Sequence, residues 1–205
     1  MAFVMALRRR IPPDFFLLLL LTLPAAWPFV ASAGLPNTAD GVLHLYRVVE
    51  WERAWRDGVF YPRLAPDFAF GYGYPIFNYY APLFYALVEL TRALSGQSFE
   101  WALRATLVFI FFLFPLGMYL FARAALNRRA ALVAAAAYLY APYHLYEAFI
   151  QGDYPQFLGL ALIPFSLWAF HQTIVTPRWR YLIAATLAYA ALTLSHNITA
   201  LIATP

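Results

Sequence analysis

Asp40, His44 and Arg47 bring an acid, an imidazole and a guanidinium into one short stretch of an otherwise strongly apolar chain. The surrounding segment, Asn37 to Pro82, also holds Glu50, Arg53, Arg63 and Asp67 among many aromatic residues. The spacing predicts a helix capped by Thr38 and running to about Asp57. At 100° per residue, Asp40, His44 and Arg47 then fall within about 60° of one another on one stripe. Trp51 extends that stripe, while Val42, Leu45 and Val49 take the opposite side. Such a helix lies at a membrane interface, with its apolar face in lipid or packed on neighbours and its ionisable groups facing one way. A carboxylate placed there can take a proton from a hydroxyl, and Arg47 or Arg63 can hold phosphate oxygens in a planar fork of donors. The plainer reading is that these charges solvate a loop between spans.

The elements that must position this stripe are apolar helices. With 63% hydrophobic and 12% charged residues, the chain departs from a soluble domain and reads as a multi-span membrane protein. It contains no cysteine, which excludes disulfides, thiolate metal sites and a cysteine nucleophile. The net charge of +4 comes from arginines scattered among short loops, so no basic face for nucleic acid forms. Arg8, Arg9 and Arg10 precede an apolar run from Phe15 to about Ala33, which is long enough to cross a bilayer. Residues 1–13 are therefore expected in the cytoplasm, with residues 14–205 forming the transmembrane domain. Ala31, Ser32 and Ala33 also resemble a signal-peptidase site, but an uncleaved anchor fits a chain whose later spans need insertion anyway.

Charge placement sets the remaining topology. If Phe77 to Leu94 stays half-buried without crossing, the next spans are Trp101 to Phe121, Ala130 to about Ile150, Tyr154 to Val175, and a fifth from about Tyr181. Arg123, Arg128, Arg129, Arg178 and Arg180 then all fall inside, as the positive-inside bias requires. The first outer loop covers about 34–100. His144, Glu147, Asp153, Ser195, His196 and Asn197 come out on the same side as Asp40, which suggests one outward polar cavity. Glu147 and Asp153, with His144 and with Asp40 or His44, offer ligands for a divalent metal, although no tight spacing motif joins them. Phe68, Phe70, Tyr72 and Tyr74 suit either a headgroup boundary or a stacking wall for a sugar or lipid headgroup. Glu89 and Arg92 read as a local ion pair, and the alanines from Ala130 to Ala137 as a close-packing surface.

The runs DGVLHLYR, YPRLAPDFAFGYGYPIFNYYAPL, APYHL and LSHNITAL resemble the membrane-protein family labelled 6-pyruvoyl-tetrahydropterin synthase-related. That family is in turn similar to the GT-C superfamily of polyprenyl-phosphate-sugar-dependent glycosyltransferases. The label does not imply pterin synthesis, whose enzyme is small and soluble. The resemblance implies an all-α transmembrane bundle of GT-C type, with membrane-parallel helices in the first outer loop. It implies an inverting transfer of sugar from a polyprenyl-phosphate donor to an envelope acceptor, on the outer face of a bacterial plasma membrane. Asp40 matches the acidic position after the first span and would be the catalytic base. Asp153 matches a second acidic position, with Glu147 as rival; His44, Arg47, Arg63, His196 and Asn197 join it as substrate-binding candidates. GT-C enzymes usually carry more spans and often a soluble outer domain, so a chain cut short at its C-terminal end is expected. The alternative is a non-catalytic polytopic protein that binds or transports a lipid-linked glycan.

The topology is checked by single cysteines probed from outside with an impermeant thiol reagent. Labelling is expected at Asn37, Gly96 and Gly152, with protection at Asn127 and Thr176. A protected Gly96 with a labelled Asn127 would mean that Phe77 to Leu94 crosses the membrane.

Overall fold

The computed structural model describes residues 13–32 and 34–204, in which helices are joined by loops and one isolated bridge pairs Ala65 with Tyr74. The order is α1 (Pro13–Ala31), α2 (Gly41–Arg56), a 3-10 turn (Ile76–Asn78), α3 (Leu83–Ser95), α4 (Phe99–Ala125) and α5 (Arg128–Leu139). There follow α6 (Pro142–Tyr146), a π turn (Glu147–Gln151), α7 (Tyr154–Val175), α8 (Trp179–Ser195) and α9 (Asn197–Ala203). The arginine-rich start, Ala33 of the small-residue run and Pro205 lie outside the described residues.

Helices α1, α4 and α7 are long and apolar enough to cross a membrane. Helix α7 has the bounds that apolarity alone gives the fourth span, and α2 begins and ends within a few residues of the amphipathic stretch. Helix α4 is the hub, packing against α1, α3, α5 and α7, while α8 lies on α7. Phe111 and Phe114 of α4 meet Phe157 of α7 with ring centroids 4.8 and 4.7 Å apart, all three fully buried. The small side chains of Ala131 and Ala135 are fully buried on α5, which allows close approach to its neighbours. Helix α3, at 13 residues and about 20 Å, is too short for a bilayer core of about 30 Å.

The third span departs from the single helix expected over Ala130 to Ile150. Helix α5 stops at Leu139, Ala141 is extended, and Pro142 opens α6 before the π turn. Proline brings no N–H to the preceding turn, and its ring drives the residue before it out of helical conformation. The interrupted segment nevertheless runs the length of α1. Arg128 Nε donates to Asp14 at the start of α1 at 2.6 Å, and Gln151 Nε2 donates to Asp40, just beyond its end, at 2.7 Å. Between them the Tyr140 hydroxyl donates to the Leu21 carbonyl at 2.7 Å. The two ends of the bundle therefore differ in chemistry, one carrying the Asp14–Arg128 pair and the other the acids and histidines.

Glu89 and Arg92 do pair, with Arg92 Nε at 2.8 Å, but not as an isolated surface pair. Arg92 Nη2 also reaches Glu52 of α2 at 2.9 Å, and Arg56 closes on the same carboxylate at 2.6 Å. Both glutamates are buried, so Arg92 joins α3 to α2 through charges withdrawn from solvent. Removing it leaves the buried Glu89 carboxylate without a cation and Glu52 with Arg56 alone. Arg92→Leu is expected to destabilise the protein by about 3 kcal/mol, read as a lowered melting temperature in detergent, with Arg92→Lys intermediate; an unchanged melting temperature would refute the coupling.

Candidate functional site

The site is built on a clasp between the loop before α2 and the π turn. A π turn shifts the hydrogen-bond register, and here the Ile150 and Gln151 carbonyls accept from Ala39 N at 3.0 Å and Asp40 N at 2.8 Å. Gly152 ends the turn at φ +75°, where a Cβ would lie 2.2 Å from Thr38 Oγ1 and 2.9 Å from Gly41 N. Only glycine allows that contact. Thr38 Oγ1 accepts from Gly41 N at 3.1 Å, which starts α2. The clasp thereby sets Asp40, at the head of α2, beside the connection that carries Asp153.

Asp153 caps α7, its Oδ1 accepting from Gln156 N at 3.3 Å. His44 Nε2 of α2 stands 3.7 Å from Asp153 Oδ1, and His196 Nε2, from the break between α8 and α9, stands 3.7 Å from Oδ2. Two imidazoles thus flank one carboxylate. The separations exceed hydrogen-bond length, and His44 is neutral, so neither contact is a formed ion pair. Burial drives the His44 pKa down to about 3, with the charges of Arg47 and His196 adding to the effect. Burial likewise lowers His196 and raises Asp153, each opposed in part by the other.

The surrounding donors favour one tautomer at each histidine. Arg47 Nη1 donates to the Tyr85 hydroxyl at 3.3 Å, leaving the Tyr85 proton for His44 Nδ1 at 3.0 Å. Neutral His44 therefore carries its own proton on Nε2, toward Asp153. His196 Nδ1 accepts from Thr199 N at 3.3 Å, which puts its proton on Nε2 as well. Arg47 is 9% exposed, lies over the Tyr80 ring at 4.0 Å from its centroid, and has an Nε without a hydrogen-bond partner. Among the described residues no carboxylate pairs with it in a salt bridge.

Other expected residues lie around this centre. Asp40 Oδ2 is held by Gln151, and Asn197 Nδ2 donates to the Tyr79 carbonyl at 2.8 Å, tying α9 to the turn before α3. Arg63 is exposed, donating to Asn78 Oδ1 at 3.0 Å beside the Tyr61 ring, and makes none of the contacts of the histidine pair. Glu147 is buried with Oε2 unpartnered. His144 places Nδ1 2.6 Å from the Tyr138 carbonyl and packs on the Phe114 ring. Among the described residues no group of three or more His, Asp or Glu side chains is arranged to hold a metal ion, Glu147 and Asp153 included. Tyr85, Gln151 and Thr199 escape sequence reasoning. Tyr85 and Gln151 sit in apolar or loop segments and find partners 41 and 111 residues away, so no local spacing signals them.

The fold and this constellation define a polytopic helical membrane protein with an ionisable centre at one end of its spans. Residues 77–204 match the model of the 6-pyruvoyl-tetrahydropterin synthase related domain, described as a membrane protein, and the chain belongs to that family. The match takes in APYHL and LSHNITAL but begins after DGVLHLYR. No curated protein and no solved structure matches the chain.

The unfolded chain binds the His44 proton near pH 6.5 and the native site only near pH 3. Its contribution to stability is therefore complete above pH 6.5 and is lost progressively as the pH falls toward 3. Nitrogen NMR of histidine-labelled protein is expected to find His44 neutral, with its proton on Nε2, down to pH 5. Tyr85→Phe should admit the other tautomer. A doubly protonated His44 at pH 6 would overturn the burial argument.

Proposed function

We propose that this chain is a membrane glycosyltransferase of GT-C type, moving a sugar from a polyprenyl-phosphate donor to an acceptor hydroxyl on the outer face of the membrane. The observation that carries the reading is Arg47, a buried cation without a carboxylate partner beside a carboxylate flanked by two neutral histidines. A buried guanidinium left without an anion is unfavourable, and a phosphate diester supplies the missing charge. In the reaction the acceptor oxygen bonds to the anomeric carbon as the bond from that carbon to the phosphate oxygen breaks. Asp40 takes the acceptor proton, and Arg47 neutralises the polyprenyl phosphate that leaves. Attack opposite the leaving group inverts the anomeric centre. The Nε2–H groups of His44 and His196 face Asp153, whose carboxylate would hold sugar hydroxyls. Arg63 and Asn197, bonded to Asn78 and to the Tyr79 carbonyl, would contribute to holding the donor.

The second reading, a non-catalytic binder of the same lipid-linked glycan, shares Arg47 but not the proton transfer. The test is transfer from a polyprenyl-phosphate sugar by the full chain in lipid. Asp40→Asn is expected to lower turnover by about 100-fold or more while donor binding persists, as loss of a general base does. Arg47→Gln should weaken donor binding itself. Donor binding by the unaltered chain without any transfer would favour the binder, and full activity in both variants would sink the enzyme assignment to this centre.

A further inference from the structure

The segment after α2 forms a hairpin that the proposed chemistry does not use. Ala65 and Tyr74 exchange two backbone hydrogen bonds, each 2.9 Å, and Gly73 N donates to the Phe68 carbonyl at 3.0 Å inside the loop they close. At its tip Ala69 and Phe70 have φ of +55° and +60°. Side chains bearing a Cβ adopt this left-handed conformation only at a cost, so something must repay the arrangement. It throws the Phe70 ring out completely, and Tyr72 beside it is 92% exposed. From Phe68 to Tyr74 the sequence contains no charged residue.

The root of the hairpin is fixed to a particular stripe of α2. Arg53 pairs with Asp67, and Glu50 Oε2 accepts from Asp67 N at 3.1 Å. Arg53 shares its helical stripe with Val42, Tyr46 and Val49, all exposed, so the outer face of α2 is apolar for two turns and then basic. That order suits a helix lying along a leaflet, with arginine at the phosphate level and aliphatic groups below it.

We propose that the Ala65–Tyr74 hairpin is a lipid-inserting prong, with the Phe70 and Tyr72 rings seated in the headgroup and acyl boundary of the leaflet beside the candidate site. A lipid surface fits better than a glycan. Sugar recognition pairs a stacked ring with carboxylates or amides that bind hydroxyls, and from Phe68 to Tyr74 the hairpin has neither, its only polar side-chain atoms being the tyrosine hydroxyls. The prong is convex, with a phenylalanine that has no polar atom at its summit, and the helix to which Asp67 ties it presents apolar side chains on the same stripe.

The absence of native cysteine allows a direct test. Phe70→Cys and Tyr72→Cys are made singly in the full chain, spin-labelled, and reconstituted into phosphatidylcholine vesicles containing phosphatidylglycerol. Collision rates with oxygen and with a water-soluble nickel chelate give label depth, calibrated by spin-labelled lipids. Both labels are expected about 5–10 Å below the surface. Labels as open to the nickel chelate as a free label in water overturn the proposal. Water-exposed labels that lose mobility on addition of maltotetraose overturn it in favour of glycan contact. The readout needs no transfer activity, so it stands or falls apart from the glycosyltransferase assignment, and the Tyr72 variant keeps the test decisive if the Phe70 substitution relaxes the turn.

Discussion

Groups that carry charge cannot be left facing hydrocarbon, and the arrangement of this bundle follows from that constraint. It explains why α2 is inverted relative to a surface helix of a soluble protein. His44, Arg47 and Trp51 point inward and are buried, whereas Val42, Leu43 and Tyr46 are exposed. The polar stripe is thereby supplied with partners from α3, α7 and the break before α9. A site assembled this way is gathered from distant parts of the chain because each apolar helix can afford polar residues only at its ends.

The clasp at Gly152 turns that gathering into a fixed geometry. Two backbone bonds from Ala39 and Asp40 satisfy carbonyls of the π turn, and the contact is close enough to demand glycine. Ile150 and Gln151 end the segment, where helix carbonyls lack intrahelical donors, and the first loop supplies donors to both. The turn out of the π segment at Gly152, with its positive φ and room for the Thr38 side chain, is what lets the first loop dock on the connection into α7. Backbone irregularity at membrane depth is tolerated where protein surrounds it, and here Ala148 in the turn is fully buried.

Much of this architecture was legible in the residues. The apolar runs located α1, α4 and α7 closely, and the 3.6-residue period located α2. What could not be read were contacts made across the fold. Pro142 was visible, but its effect on the third span depended on where the freed carbonyls would find donors. Tyr85 looked like one more aromatic in an apolar segment, and nothing near it in sequence announced that it orients His44. Arg63 had the right chemistry for the centre but lies on the loop with Asn78, because sequence pattern places a residue on an element and not at a distance.

The opposite end of the bundle carries a quieter feature, the knot in which Asp14 accepts from Arg128 and from the Tyr119 hydroxyl. Together with the bond from the Tyr140 hydroxyl to the Leu21 carbonyl, it fastens α1 to α5 at two levels, one at the start of α1 and one near its middle. Bonds at two levels restrain α1 from sliding along α5, so the pair presents a set depth of apolar surface. The 19 residues of α1 therefore act as a gauge of about 28 Å. A bilayer thicker or thinner than that length is matched by tilt of the helices or by deformation of the lipid, each at a modest cost per ångström.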